Sequence, residues 1–176
     1  MDKELSELVK KAGRNFDAPP LHLWQPEFSG DIDINIDREG VWFHEGGKIE
    51  RDSIVRLFAA ILRREDDGNY YLVTPGEKWR IRVEALPLIV TDVEYSPNPS
   101  ESDVLMATLN TGKIVSIDSD HPLYLEPAAD NIAAVKLSHG LAALCSRAAW
   151  YRLVEMAESV DGRVCVQSGS EKYFLE

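Results

Sequence analysis

The sequence predicts an α+β protein made of two small, similar halves, on three observations. Hydrophobic residues switch along the chain between strict alternation and helical spacing. Short segments are punctuated by proline and glycine turns. Residue pairs near the end of the first half recur near the end of the second. The 176 residues, 44% hydrophobic and 28% charged, have the composition of a packed globular protein. Single domains commonly run about 100–150 residues, so this length fits one ordinary domain or two small ones.

Leu5, Leu8, Val9 and Ala12 fall at helical spacing before Gly13, which predicts a short N-terminal helix over residues 2–12. In Pro19-Pro20-Leu21-His22-Leu23-Trp24-Gln25-Pro26 the prolines forbid a regular helix or central strand. This stretch is expected to be a strap laying Leu21, Leu23 and Trp24 onto a core. From Asp31 to Asp37 isoleucine alternates with acid or amide, so Ile32, Ile34 and Ile36 share one strand face and Asp31, Asp33, Asn35 and Asp37 the other. Arg38-Glu39-Gly40 turns into Val41–His44, and Gly46-Gly47 turns again, which reads as a hairpin. Ile54, Leu57, Phe58, Ile61 and Leu62 form an apolar stripe, predicting a helix capped by Asp52 or Ser53 and running to about Glu65. Strands are expected at 70–74 and 79–84 around Pro75-Gly76.

After Pro87, strands are expected at 88–95 and 104–110, with Thr111-Gly112 as a tight hairpin into 114–118. A loose stretch follows, then a long helix from about Leu141 to Glu158 and a closing hairpin at 163–167 and 172–175. The domain boundary is placed near residue 86, giving an N-terminal α+β domain over 1–85 and a C-terminal one over 86–176. Asp67-Gly68 and Glu77-Lys78-Trp79 match Asp161-Gly162 and Glu171-Lys172-Tyr173 at one offset of 94 residues. Each half then reads as hairpin, helix, hairpin, which points to duplication of one supersecondary unit, with a groove between packed halves as the natural binding site.

Net charge is −11, which disfavours nucleic-acid polymers and anionic membranes as partners. No apolar run approaches the roughly 20 residues that cross a bilayer. The charged start and two unpaired-spacing cysteines, Cys145 and Cys165, lead us to expect a cytoplasmic protein. Within this acidic chain, residues 48–82 are net positive, so an anionic small molecule is sought there.

Each candidate site has a plainer structural reading beside it. The Asp31/Asp33 face could hold a divalent cation, but Ile36 and Trp42 stand where a calcium loop needs glycine and glutamate; the plainer reading is a solvated strand face. Lys78, Arg80 and Arg82 share a strand face, and Arg56 and Arg63 are expected to share a helix face. They could clamp phosphate, or simply pair with Glu50, Glu65 and Glu84. Four scattered histidines have no metal-ligand spacing, Gly46-Gly47-Lys48 lacks a full phosphate loop, and Ser138, His139 and Cys145 lack triad logic. No catalytic residue, metal ligand or cofactor is assigned.

Ile54–Phe58 followed by Arg64–Lys78, and Pro19–Pro26 followed by Gly30–Ile34, resemble the bacterial family called domain of unknown function 1285. The resemblance continues through His121-Pro122-Leu123 and Gly140-Leu141 to the segment carrying Arg147, Tyr151, Leu153 and Glu155. It implies a duplicated α+β architecture, a C-terminal half superficially like a pleckstrin-homology domain, a nucleotide-like ligand between the halves, and a role in signal transduction. On that reading Arg64, Lys78, Arg80 and Arg147 meet the ligand's charge, Tyr71 and Tyr151 pack its flat part, and Glu77 orients a base. The expected function is thus a ligand-binding or regulatory module. A metal-dependent enzyme on a phosphorylated small molecule, using Asp31 and Asp33, and a protein–protein adaptor are the alternatives.

Overall fold

The computed structural model describes Glu7, Lys10 and residues 18–98, 100 and 103–176. The N-terminal helix expected over 2–12 lies outside the described residues, apart from Glu7 and Lys10, which are helical. Two units divide the chain, Met1–Glu84 and Ala85–Glu176. Among residues 18–98, 100 and 103–176 the protein is α+β in kind and mostly strand, with two helices, two six-stranded sheets and a three-stranded sheet.

In the first unit, β1 (Phe28–Ile36) leads into β2 (Trp42–His44) and β3 (Gly47–Lys48). Helix α1 (Asp52–Ala60) follows, then β4 (Leu62–Arg64), β5 (Tyr70–Val73) and β6 (Lys78–Val83). The sheet order is β3-β2-β1-β6-β5-β4, with β1 and β6 parallel at its centre. Alternation does what period two requires: Ile32, Ile34 and Ile36 are buried while Asp31 and Asp33 are exposed. Phe58 of α1 meets Trp42 at 6.0 Å between ring centroids, closing a core with Ile34 and Ile36. Each such fully buried side chain contributes roughly 1.5–3 kcal/mol.

The second unit contains β7 (Leu88–Tyr95), β8 (Leu105–Leu109), β9 (Ile114–Ser116), β10 (Leu123–Glu126), β11 (Ile132–Lys136) and β12 (Ala142–Cys145). Helix α2 (Arg147–Met156) then leads to β13 (Glu158–Val160), β14 (Arg163–Ser168) and β15 (Glu171–Phe174). The larger sheet, read from β9, runs β9-β8-β7-β12-β11-β10, again with its first and sixth strands parallel at the centre. Ser168 ties the small sheet to the larger one, donating to the Ile117 carbonyl at 2.5 Å and accepting from the Leu105 amide at 2.8 Å.

The halves are therefore similar, but not through the 94-residue offset. That offset matches the β5–β6 hairpin of a six-stranded sheet with the β14–β15 hairpin of the separate three-stranded one. The shared residues are turn chemistry: Gly68 and Gly162 take φ of +81° and +80°, which glycine adopts without strain. What repeats is the sheet, two three-stranded meanders joined by parallel first and sixth strands. The helix sits between the meanders in the first unit and after them in the second.

Five local expectations need correction. Helix α1 stops at Ala60, and Leu62–Arg64 pairs with β5 instead of extending the helix. Ile61 and Leu62 are fully buried, as the helical stripe demanded, but a sheet buries them. Arg63 is thus a strand residue and shares no helix face with Arg56. The cap of α1 is Arg51, with no side-chain hydrogen bond, and neither Asp52 nor Ser53 fills that role. The long helix from Leu141 is in fact β12 followed by α2, capped by Ser146, whose Oγ accepts from the Ala149 amide at 3.2 Å. The loose stretch before it holds β10 and β11, in which Ala133, Ala134 and Val135 are all buried. A strand buried on both faces shows no alternation. In the strap, Leu21 is buried but Leu23 is 69% exposed, because a short 3-10 turn at Leu21–Leu23 points it away.

Candidate functional site

The polar face of the first sheet gathers most of the charged candidates. Parallel pairing of β1 with β6 sets Asp31 beside Arg80, and the two bond twice, Nε to Oδ1 at 2.5 Å and Nη2 to Oδ2 at 3.0 Å. Arg82 donates to Asp33 at 2.5 Å, and Asn35 donates to Glu84 at 3.0 Å. The acidic strand and the basic strand are therefore two sides of one ladder. Arg80 in turn holds the Asp31 carboxyl below its usual range by hydrogen bonding.

At the β4 end of this face the network is less exposed. Tyr71 lies across from both Arg63 and Arg80, so all three side chains share the face. The Tyr71 hydroxyl donates to Asp67 Oδ2 at 2.6 Å, which raises the Tyr71 pKa and, with hydrogen bonds from Asn69, pulls Asp67 down to about 2. Lys78 sits 5.0 Å from the Tyr71 ring centroid and donates to Glu65 at 2.9 Å. Glu65 also accepts from Arg63 at 2.5 Å. Burial pushes the Glu65 pKa up, but the bonds from Lys78 and Arg63 outweigh it and leave the carboxyl below its ordinary value. Arg63 spends its other Nη on the strap, donating to the carbonyls of Leu21 at 3.0 Å and Trp24 at 2.9 Å.

Of the expected ligand residues, Tyr71, Lys78 and Arg80 come together here. Arg64 does not: it pairs across from Tyr70, on the opposite sheet face, with its guanidinium 5.6 Å from the Tyr70 ring. Glu77 lies in the turn before β6, where its carboxylate accepts from the Trp79 indole at 3.4 Å. Arg147 and Tyr151 belong to the second unit, one turn apart on exposed α2 positions. The Arg147 guanidinium lies 5.5 Å from the Tyr151 ring, and its Nη2 donates to the hydroxyl at 3.3 Å.

Two groups escaped sequence reasoning. Phe28, 53% exposed, packs edge-on to Tyr71 at 6.3 Å and lies 5.6 Å below the Arg80 guanidinium. Simple alternation assigns it to the isoleucine face; an irregularity between Phe28 and Gly30 turns it to pair with Lys78 instead. At the other end of the ladder, Asp33, Asn35, Asp37, Phe43, Arg82 and Glu84 line a concavity of about 610 Å³, with Gly46 at its rim. Alternation marked its β1 residues, but only the fold brings Phe43 and Glu84 to them. Among the described residues no three of His, Cys, Asp and Glu converge as a metal site. Cys145 and Cys165 are buried and unlinked, and burial pushes the Cys145 thiol up to about 12. Among the described residues no helix is long and apolar enough to cross a membrane.

The model of the domain of unknown function DUF1285, N-terminal domain, matches residues 19–86, and that of the DUF1285 C-terminal domain matches residues 87–175. No protein of curated function matches the chain. A crystal structure of a DUF1285 family protein from Silicibacter pomeroyi DSS-3 is similar at 35% identity and a TM-score of 0.86, covering 99% of this chain and 95% of that one. A DUF1285 family protein from Shewanella baltica OS155 is similar at 29% identity and a TM-score of 0.56, covering 69% of this chain and 90% of that one. Matched end to end from the strap to the last strand, the chain belongs to the DUF1285 family.

Proposed function

We propose that this chain is a cytoplasmic ligand-binding module with a regulatory role in signalling, and that its ligand is a small, anionic, nucleotide-like molecule. One observation carries the reading. The exposed Phe28 ring stands against the Arg80 guanidinium, supported from behind by Tyr71 and Lys78. A flat base stacks on such a ring, and a phosphate takes a bidentate grip from arginine. The pair of Arg80 with Asp31 does not block this, because exposed ion pairs are worth only about 0–1 kcal/mol and a dianionic phosphate competes for the guanidinium.

Roles shift accordingly. Arg80 is the residue that meets charge, while Lys78 supports it from within the Glu65 network. Arg147 and Tyr151 form a second cation–aromatic pair of the same kind in the C-terminal unit. We read that unit as pleckstrin-homology-like in outline alone, and outline carries no function by itself. The hairpin–helix–hairpin description suits the first unit better than the second, whose helix follows six strands.

Thermal-shift measurement against nucleotides and cyclic dinucleotides tests the proposal. A ligand at about 100 times its Kd stabilises by roughly 2.7 kcal/mol, several degrees for a chain of this size. The shift is expected to vanish in Phe28→Ala and Arg80→Ala. Silence across the nucleotide panel, or a shift indifferent to both substitutions, overturns the reading.

A further inference from the structure

We propose that the strap and Phe28 form one flap, which pivots at Gly30 and is latched by Arg63, so that its closure sets the stacking ring of the Phe28–Arg80 site. The strand pairing marks the pivot. Phe28 pairs with Lys78, but the register of β1 against β6 shifts before pairing resumes at Gly30. Gly30 has a φ of +134°, which glycine adopts readily and other residues rarely do. Hinges fall at such element-terminal positions, where a few backbone angles absorb the motion. Pro19, Pro20 and Pro26 fix φ along the strap, so it moves as a stiff piece.

Few bonds hold the flap down. The strap's backbone hydrogen bonds stay inside it, from Leu21 to Pro19, Leu23 to Pro20 and Trp24 to Leu21. Among the described residues, the hydrogen bonds from residues 19–27 to the rest of the unit are the two that Arg63 Nη1 donates, to the Leu21 and Trp24 carbonyls. Glu65 holds that guanidinium in place through Nη2. At the far end of the flap the Lys78 amide donates to Ser29 Oγ at 3.0 Å. Leu21, 1% exposed, is the anchor that opening pulls from the core, which makes the open form the minor one. The consequence for the site rests on the nucleotide reading above. Phe28 is four residues from Trp24, and opening lifts its ring from Tyr71 and Arg80. A base stacked on Phe28 therefore favours the closed flap, and by linkage the closed flap favours the base.

Amide hydrogen exchange of the full chain, followed by NMR, tests the flap without any ligand. Leu23, Trp24 and Lys78 should share one protection factor, well below that of Val73, whose amide bonds to the Ile61 carbonyl. Arg63→Lys loosens the latch and Leu21→Val the anchor, and neither replaces a partner of the Lys78 amide. Each should lower the three protection factors together, by about tenfold for the weakened charge-assisted bonds of Arg63→Lys. Should one variant fail to fold, the other carries the comparison. Lys78 keeping its protection while Leu23 and Trp24 lose theirs overturns the proposal, because the strap then opens without Phe28. Protection equal to that of Val73 overturns it as well, because the strap then opens only on global unfolding. ATP and cyclic di-GMP separate this from the nucleotide reading. If either binds, exchange at Leu23 and Trp24 should slow, and binding that leaves both unchanged sinks the flap. If neither binds, the nucleotide reading fails while the three amides still decide the flap.

Discussion

Arg80 and Asp31 are 49 positions apart and joined by two hydrogen bonds across the only parallel strand pair of their sheet, among the described residues. The same separation recurs in Arg82 with Asp33 and in Asn35 with Glu84. A double-mutant cycle on Arg80→Ala and Asp31→Ala is expected to give a coupling below about 1 kcal/mol that shrinks further with added salt, because both side chains are well exposed. Urea unfolding of the four proteins measures it. A larger, salt-insensitive coupling would mean that the ladder holds the sheet together, which would leave Arg80 poorly available to a ligand.

The two strands of that ladder were each legible in the sequence. Alternation marked Asp31, Asp33 and Asn35 on one strand and Lys78, Arg80 and Arg82 on another. Their partnership was not, since parallel pairing across 49 residues is decided by burial of Ile32, Ile34, Ile36 and Ile81 on the other face. Local periodicity failed where burial is two-sided. Ile61 and Leu62 complete a helical stripe yet lie beyond the helix, and Leu141–Cys145 reads as helix yet is largely strand, because a short apolar run has no period of its own. Tyr71, Lys78 and Arg80, singled out by alternation and motif, share one face of the first sheet. Arg64 was misplaced because a helix running to Glu65 ignores which sheet face it would occupy. Phe28 was missed because an irregularity in strand pairing leaves no mark in composition.

Arg63 joins the strap to the sheet. Its guanidinium is nearly buried and serves two carbonyls and one carboxylate. Arg63→Ala is expected to cost about 3 kcal/mol, because it strips Glu65 of a partner, takes the guanidinium from the Trp24 carbonyl and leaves the buried Leu21 carbonyl with the Trp24 amide alone. Arg63→Lys should recover only part of that, since an ammonium cannot reproduce the planar fork. Denaturant unfolding gives the cost. Faster hydrogen exchange at Leu23 and Trp24, whose amides bond within the 3-10 turn, locates it.

Asp67 makes the acid response of this network predictable. Its folded pKa of about 2 lies below the ordinary 3.8, so the carboxylate form is favoured by folding. That stabilisation is fully present above pH 3.8 and is lost as pH falls toward 2. Removing the Tyr71 hydroxyl in Tyr71→Phe should raise the Asp67 pKa, yet leave it below 3.8 because the Asn69 amide still donates at 2.9 Å. Carboxyl-carbon NMR titration reads this directly. An unchanged Asp67 in Tyr71→Phe would show that the hydroxyl does not make that bond in solution.

Gly30 is where backbone and packing demand the same residue. Its φ is +134°, a conformation L side chains rarely adopt, and an added Cβ would lie 3.3 Å from Cζ3 of Trp79. The indole rests over the bare backbone of β1 as β6 passes beside it. Gly30→Ala therefore combines strain with crowding and is expected to cost about 1–3 kcal/mol. Gly76, in the turn before β6, has no atom within 4 Å of a built Cβ and no positive φ, so Gly76→Ala should stay within about 0.5 kcal/mol of the parent. Chemical unfolding of the two variants side by side decides it. The Trp79 near-ultraviolet signal should change only in Gly30→Ala, and equal stabilities would mean that β1 shifts to accommodate the methyl without disturbing the ladder.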